Sequence, residues 1–376
     1  MVVLITWPDY ERDGAQTGRR LVEAGCELRF APKRSRRSPA EMIPLLDGVA
    51  AAIVSTDPFD AEVLDSAVAL RVIARVGVGT DSIDLEAAAR RGVAVCTTPG
   101  ANAACAADHT LALMLAALRR VPEHDRAVRS GEWPRTGEAT PWELNGATVG
   151  LIGYGAIGRL VRRRLSGFAV RVLVCDPYAP DEPGTDRAGL DALLAESDVV
   201  SLHVPLTRST RGLLDRSRLA LMRPGAVLVN TARGELVDEE ALADALERGA
   251  LRAAALDVFA LEPPAASRLL ALANVSAGRS STGRRLTVAV AAPVSMFAAP
   301  GPIEAVHASA WSRLAARAYP SAVCTIACSC LGWYSGSSPP SCASACPSPS
   351  TLPWPKIPNI AGTARRRSPS RSDHCA

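Results

Sequence analysis

The stretch Gly153-Tyr154-Gly155-Ala156-Ile157-Gly158 constrains this chain more than any other. It follows the apolar run Ala147–Ile152, which reads as a buried strand, and it opens a helical pattern that continues through Leu165. A second β-rich run, Val170–Cys175, comes next and ends in an acid, Asp176. Strand, glycine turn, helix and strand form a βαβ unit, whose two strands lie parallel. In such a turn Gly153 makes the tight bend and Gly155 lets backbone approach a pyrophosphate. Gly158 then permits close packing of helix on strand. The helix start at Ala156 and Ile157 offers free N–H groups and a positive dipole end to phosphates. Asp176 lies about 20 residues beyond the turn, the spacing of a ribose-binding carboxylate. A glycine turn that binds nothing is the plain alternative, and the acid at that spacing weighs against it. Asp176 would repel a 2′-phosphate, and no arginine stands in Pro177-Tyr178, so NAD is expected in preference to NADP.

The same alternation extends in both directions. Upstream, Val2–Thr6, a helix near Gln16–Ala24, Ala50–Ser55, a helix at Ala61–Ala67 and Val72–Val76 describe a small α/β unit. The apolar helix Ala103–Arg120 is too hydrophobic all round for a surface helix, so it is expected to pack between domains or subunits. Downstream, Asp198–His203, Ala226–Asn230, a helix at Glu239–Glu247 and Ala253–Asp257 continue a doubly wound sheet. Beyond about Val275, Ser, Pro, Ala, Cys and Arg dominate without helical or strand period, and this text is expected to be irregular or disordered.

Length and composition narrow the function classes. A chain of 376 residues favours two domains and a cleft between them. Lys+Arg 42 against Asp+Glu 38 leaves only +4, with the basic residues scattered, so nucleic acid is not the expected partner. A small molecule is. Met1–Thr6 stops at Pro8-Asp9 without a basic leader and reads as a strand. Asp108 and His109 interrupt the most hydrophobic helix, so no membrane partner and a cytoplasmic location are expected. Cys26, Cys96, Cys105 and Cys175 stand singly in apolar segments, as small buried hydrophobes do. The spacings Cys324-x3-Cys328-x-Cys330 and Cys342-x3-Cys346 lack the two-residue zinc knuckle, and no metal is expected.

Several stretches, in order and spacing, resemble the D-isomer-specific 2-hydroxyacid dehydrogenases, of the phosphoglycerate dehydrogenase type. They are Arg75–Asp84, Thr98–Asn102 running into Ala107–Thr110, Gly150–Gly158, Cys175–Pro177, Ser197–Thr207 and Met222–Gly234. The resemblance covers residues 45 to 275. With the element pattern it implies an α/β fold: a doubly wound parallel-sheet Rossmann domain over 99–280 that binds NAD. A smaller flavodoxin-like α/β lobe over 1–98 binds substrate, and 281–376 forms an irregular tail. It further implies a small 2-hydroxy or 2-oxo acid as partner, and a homodimer built on the Ala103–Arg120 helix.

Residue roles carry over where the motifs match. Arg233 would clamp the substrate carboxylate and carbonyl as a bidentate donor, which its planar fork suits better than lysine. Backbone amides of Gly77 and Val78 would hold the other side of the carboxylate. Asp257 would reach the nicotinamide carboxamide, while Val78, Val204, Thr231, Ala232 and Arg233 line the cofactor. Glu262, in Phe259-Ala260-Leu261-Glu262-Pro263, matches the acid that pairs with a catalytic histidine and raises its pKa for proton donation.

That histidine is expected shortly downstream, where the chain instead reads Ala273-Asn274-Val275-Ser276-Ala277-Gly278-Arg279-Ser280. Of the five histidines, His109 and His203 match positions that are structural or near the cofactor, His124 reads as solvated, and His307 and His374 lie in the tail. Cys330-Leu331-Gly332-Trp333 is similar to the residues after the family's histidine, with Cys330 in its place, but stands too far from Glu262. Three readings stay open: an active dehydrogenase interconverting a 2-oxo acid and a D-2-hydroxy acid with NAD, impaired or not by the missing histidine; an NAD-binding protein with little or no turnover, acting as a sensor or interaction module; and a frame-altered, inactive product whose Rossmann half folds and whose tail does not.

Overall fold

Side-chain caps punctuate the chain: Ser38, Asp60, Asp84, Asp215 and Asp238 each accept a backbone N–H from the first turn of the helix they precede. Between these helices the short apolar runs pair into two sheets in the computed structural model, which describes residues 1–10, 15–133, 140–180, 182, 185–279 and 296–297.

The first sheet contains β1 (Val2–Ile5), β2 (Glu27–Phe30), β3 (Val49–Val54), β4 (Val72–Arg75) and β5 (Ala94–Cys96). These run parallel in the order β2-β1-β3-β4-β5, and the two-residue strand Met296–Phe297 closes the β5 edge antiparallel. The order is that of flavodoxin-like sheets. Its helices are α1 (Ala15–Glu23), α2 (Pro39–Met42), α3 (Ala61–Ser66) and α4 (Leu85–Arg90). Alternate strand residues face opposite layers. Leu4, Ala52 and Ile73 pack with Met42, Val63 and Leu64, whereas Val3, Ile5, Ile53 and Ala74 pack with Leu21. Both faces are therefore covered, as parallel sheets require.

The second sheet contains β6 (Thr148–Ile152), β7 (Arg171–Cys175), β8 (Asp186–Arg187), β9 (Val199–Leu202), β10 (Val227–Asn230), β11 (Ala253–Leu256) and β12 (Val275–Ala277). All seven are parallel, in the order β12-β11-β10-β9-β6-β7-β8. Strand order reverses between β6 and β9, and a crevice at such a reversal is where doubly wound sheets take their ligands. On one face α5 (Ala103–Leu118) and α7 (Ala156–Leu165) cover Val149, Leu151, Val199, Val229 and Ala255. On the other, α8 (Leu190–Glu196), α9 (Arg216–Leu221) and α10 (Glu239–Glu247) cover Ile152, Leu202, Leu228 and Leu256. The helix α6 (Val121–Arg129) comes directly after α5.

The apolar helix α5 lays Ala107, Leu113, Met114 and Ala117 onto the second sheet, because the Rossmann face needs an apolar cover there. One expectation needs correction. Val275–Ala277, expected to begin the irregular text, is the seventh strand, since its backbone pairs with Ala254–Leu256 whatever its side chains. The expectation of a disordered tail falls, apart from Met296–Phe297, on residues outside those described. Among the described residues no helix is long and apolar enough to cross a membrane, and no three His, Cys, Asp or Glu side chains cluster as metal ligands.

Candidate active site

The strand-order reversal places the glycine turn against the exit of β9. Gly153 adopts φ +97, and its N–H donates to the Cys175 carbonyl at 2.9 Å. A Cβ on Gly153 would lie 2.6 Å from the backbone carbon and oxygen of His203, so only glycine fits. Gly158 is pressed in the same way against the Gly153 carbonyl. Gly155 differs: as N-cap of α7 it offers no side chain, and nothing lies within 4 Å of where its Cβ would be. That open cradle, under the uncapped amides of the first α7 turn around Ala156 and Ile157, fits a pyrophosphate. Asp176, at the end of β7, accepts from Tyr154 N–H at 2.7 Å and from Tyr178 and Ala179 N–H at 2.8 and 3.2 Å. Its carboxylate is thereby fixed at the rim of the turn. Val204 adjoins His203, whose ring meets Ser201 Oγ at 3.0 Å; burial of the ring pushes its pKa down to about 4, so it is neutral near pH 7.

A second group of residues forms where β10 ends. Asn230, 1% exposed, accepts from the Ala232 N–H and donates to the Arg233 carbonyl, which holds Thr231-Ala232-Arg233 in one turn. From that turn Arg233 reaches the first lobe and donates to Asp81 at 2.9 Å. Burial alone would raise the Asp81 carboxyl, but the Arg233 hydrogen bond and charge, with Arg75 beyond, hold it below its ordinary value. Arg75 lies against Gly77 with its Nε buried and unpartnered, and burial, then repulsion from Arg233, lowers its pKa. Two guanidinium groups thus face one carboxylate. The Gly77 N–H donates to Thr98 Oγ1 at 2.9 Å, while Val78 is exposed beside it.

Gly234 touches the backbone of Phe259 and Ala260 so closely that no Cβ fits. This contact brings the Arg233 turn onto the loop of Glu262, whose Oε1 accepts from Phe259 N–H at 3.2 Å. The pairing of Glu262 with an imidazole finds no counterpart among the described residues. Asp257, 7% exposed at its side chain, instead lies 3.1 Å from His109 Nε2 on α5, and Thr231 Oγ1 meets Thr110 Oγ1 at 2.8 Å beside it.

The residues singled out from sequence therefore fall into two groups: Gly153–Gly158, Asp176 and Val204 around the ends of β6, β7 and β9, and Thr231–Arg233, Asp257, Glu262, Gly77 and Val78 around the turn after β10 and the loops it meets. Sequence reasoning missed Asp81 and Arg75 as neighbours of Arg233, and His109 as the partner of Asp257. Both members of the first pair lie inside the Arg75–Asp84 motif, so the signal was present. The partner, 152 residues away from Asp81, was not legible.

Comparison with known proteins places this geometry. The profile of the D-isomer specific 2-hydroxyacid dehydrogenase NAD binding domain matches residues 111–278. D-3-phosphoglycerate dehydrogenase of Mycobacterium tuberculosis is 44% identical over 253 residues, covering 66% of this chain and 47% of the relative. The chain thus spans about half the length of the curated phosphoglycerate dehydrogenases it matches. Glyoxylate reductase of Thermococcus litoralis is 41% identical over 232 residues, 58% of this chain and 70% of the relative. The crystal structure of the TT0316 protein from Thermus thermophilus superposes with a TM-score of 0.68 at 41% identity, covering 76% of this chain and 92% of that one. The chain belongs to the D-isomer specific 2-hydroxyacid dehydrogenase family, and its second sheet is that family's NAD-binding domain.

Proposed function

We propose that the chain is an NAD-dependent oxidoreductase interconverting a small D-2-hydroxy acid and the corresponding 2-oxo acid. The observation that carries this reading is Arg233, held where a loop of the first lobe meets the end of β10, with Arg75 behind it and Asp81 set against the two cations. Such a site favours a carboxylate. The relatives named phosphoglycerate dehydrogenase and glyoxylate reductase support the acid class.

Gly153, Gly155, Ala156, Ile157 and Gly158 would hold the pyrophosphate, and Asp176 the adenosine ribose. Val78, Val204, Thr231 and Ala232 would line the cofactor, with Asp257 accepting from its carboxamide. When bound, the nicotinamide supplies or takes the hydride. Arg233 would grip the substrate carboxylate and polarise the carbonyl. The Val78 amide assists more than Gly77, whose N–H already serves Thr98. Glu262 would steady the charge of a proton donor. The second and third readings, a binder without turnover and an inactive product, receive no support from the relatives.

The test is NADH binding and reduction of glyoxylate and hydroxypyruvate measured on one purified sample, with the product's configuration determined. Arg233→Ala is expected to abolish reduction while NADH still binds. Reduction that survives this change, or an L-configured product, overturns the reading. Separately, Asp176→Ala is expected to weaken NADH and narrow the gap to NADPH, because the carboxylate that repels a 2′-phosphate is gone. Calorimetric titrations with both cofactors check this, and unchanged affinities for the two would show that Asp176 does not face the ribose.

A further inference from the structure

At the end of the second sheet away from Asp257, a cavity of about 190 Å³ opens between the start of α6 and the entries of β11 and β12. Arg252, Asn274 and Ser276 line it from the sheet, Arg120 and Glu123 from the helix side. The guanidinium carbon of Arg252 lies 3.6 Å from the centroid of the Trp142 ring, and Trp142 is itself fixed by its N–H on the Leu118 carbonyl at 2.9 Å. Stacking on a ring engages the face of a guanidinium and leaves its N–H edge unused. Among the described residues no hydrogen bond or ion pair reaches the Arg252 side chain, and its Nε is buried with no acceptor. Burial, then repulsion from Arg120, lowers its pKa, yet a guanidinium keeps its proton in proteins, so the cavity wall holds a cation without a counter-charge. Glu123 does not supply one, because both its oxygens accept N–H groups of Arg120. Arg120 holds that pair from a left-handed backbone at φ 52, a strain of the kind that gathers at ligand sites. Asn274 spends its amide on the Leu246 and Arg252 carbonyls, whereas the Ser276 hydroxyl has no protein partner among the described residues.

We propose that this cavity is a binding site for a small oxyanion, a phosphate or carboxylate group, gripped by the Arg252 fork and the Ser276 hydroxyl. A guanidinium takes either group through two parallel N–H bonds, and the hydroxyl adds a further donor. The anion supplies the counter-charge that the protein leaves out, at a side chain already held in place by Trp142. The volume is below the ~300–1,000 Å³ of pockets for drug-sized ligands, so the occupant is a bare ion or a molecule of a few carbons, and not a dinucleotide. Arg252 and Asp257 stand at opposite ends of β11, so the site is distinct from the cofactor crevice.

The experiment titrates the full chain with inorganic phosphate and with malonate in a calorimeter at constant ionic strength, alongside Arg252→Gln and Ser276→Ala. The unaltered protein is expected to take one equivalent of at least one of the two anions that Arg252→Gln binds at least tenfold more weakly, the effect of losing hydrogen bonds from a charged donor. Ser276→Ala is expected to weaken the same equivalent by a smaller factor. The glycine turn and Arg233 are present in every form, so anion taken there cancels in the comparison. Which of the two anions binds tells a phosphate site from a carboxylate site. Isotherms that are the same for the unaltered protein and Arg252→Gln with both anions overturn the proposal. Should Arg252→Gln not fold, modification of the unaltered protein by the arginine reagent phenylglyoxal decides, read peptide by peptide in a mass spectrometer. The bound anion at ten times its dissociation constant is expected to slow reaction at Arg252 about tenfold while sparing the exposed Arg208. A rate at Arg252 that neither anion changes overturns the proposal.

Discussion

Replacing Gly153 with alanine is expected to destroy cofactor binding and to cost stability as well. The φ of +97 disfavours any L side chain by about 1–2 kcal/mol. The added methyl meets the His203 carbonyl at 2.6 Å, an overpacking that typically costs a further ~1–3 kcal/mol. The sum is about 2–5 kcal/mol, a large share of a domain's net stability. The two elements forced apart, the β6 exit and the β9 exit, are those between which strand order reverses, so the cofactor crevice opens with them. Gly155→Ala is the control, because its methyl enters empty space. That change should leave stability within roughly 0.5 kcal/mol while still obstructing the pyrophosphate cradle. Urea melts and NADH fluorescence titrations of the two variants check the pair. Equal stability loss in both would contradict the packing argument.

Turnover is expected to be slow in the unaltered protein. A positioned general acid contributes ~10²–10⁴-fold, and the turn after β12 carries Gly278 and Arg279 where the resemblance implies a histidine. Among the described residues the other imidazoles do not replace it. His203 is neutral and turned to Ser201, His109 is committed to Asp257, and His124 lies on α6. Glu262, with its Oε1 on the Phe259 amide, has no imidazole to charge among these residues. NADH oxidation with a panel of 2-oxo acids should therefore run two to four orders of magnitude below the ordinary range of ~1–10³ per second. Substrate affinity should survive, because Arg233 remains. A rate inside that range, abolished by Arg233→Ala, would show that another group delivers the proton.

How far these features are legible in the chain depends on the range of the interactions behind them. The strands β1, β3, β4, β6, β7, β9, β10 and β11, the helix Glu239–Glu247 and the glycine turn can be read directly, because apolar runs and periods are local consequences of backbone geometry, whereas β2, β5 and β8 carry too short or too polar a pattern. Asp176 is legible for the same reason: one helix and one parallel strand separate it from the glycine turn. The edge strand β12 is not, since Val275-Ser276-Ala277 has little β character and is ordered by pairing with Ala254–Leu256 that only the finished sheet supplies.

What the sequence alone determined is the cofactor domain: its parallel order, its glycine cradle and its acid, each set by residues within one βαβ unit. What only the tertiary structure decided is the company these residues keep. Arg233 beside Asp81 and Arg75, Asp257 beside His109, and Gly234 under the Glu262 loop join segments more than a score of residues apart. No local pattern encodes such pairs, because charge and shape are matched across the crevice only after both sheets have folded. The ionisation of Asp81 and the neutrality of His203 arise from that same folding, through the neighbours and the burial it imposes.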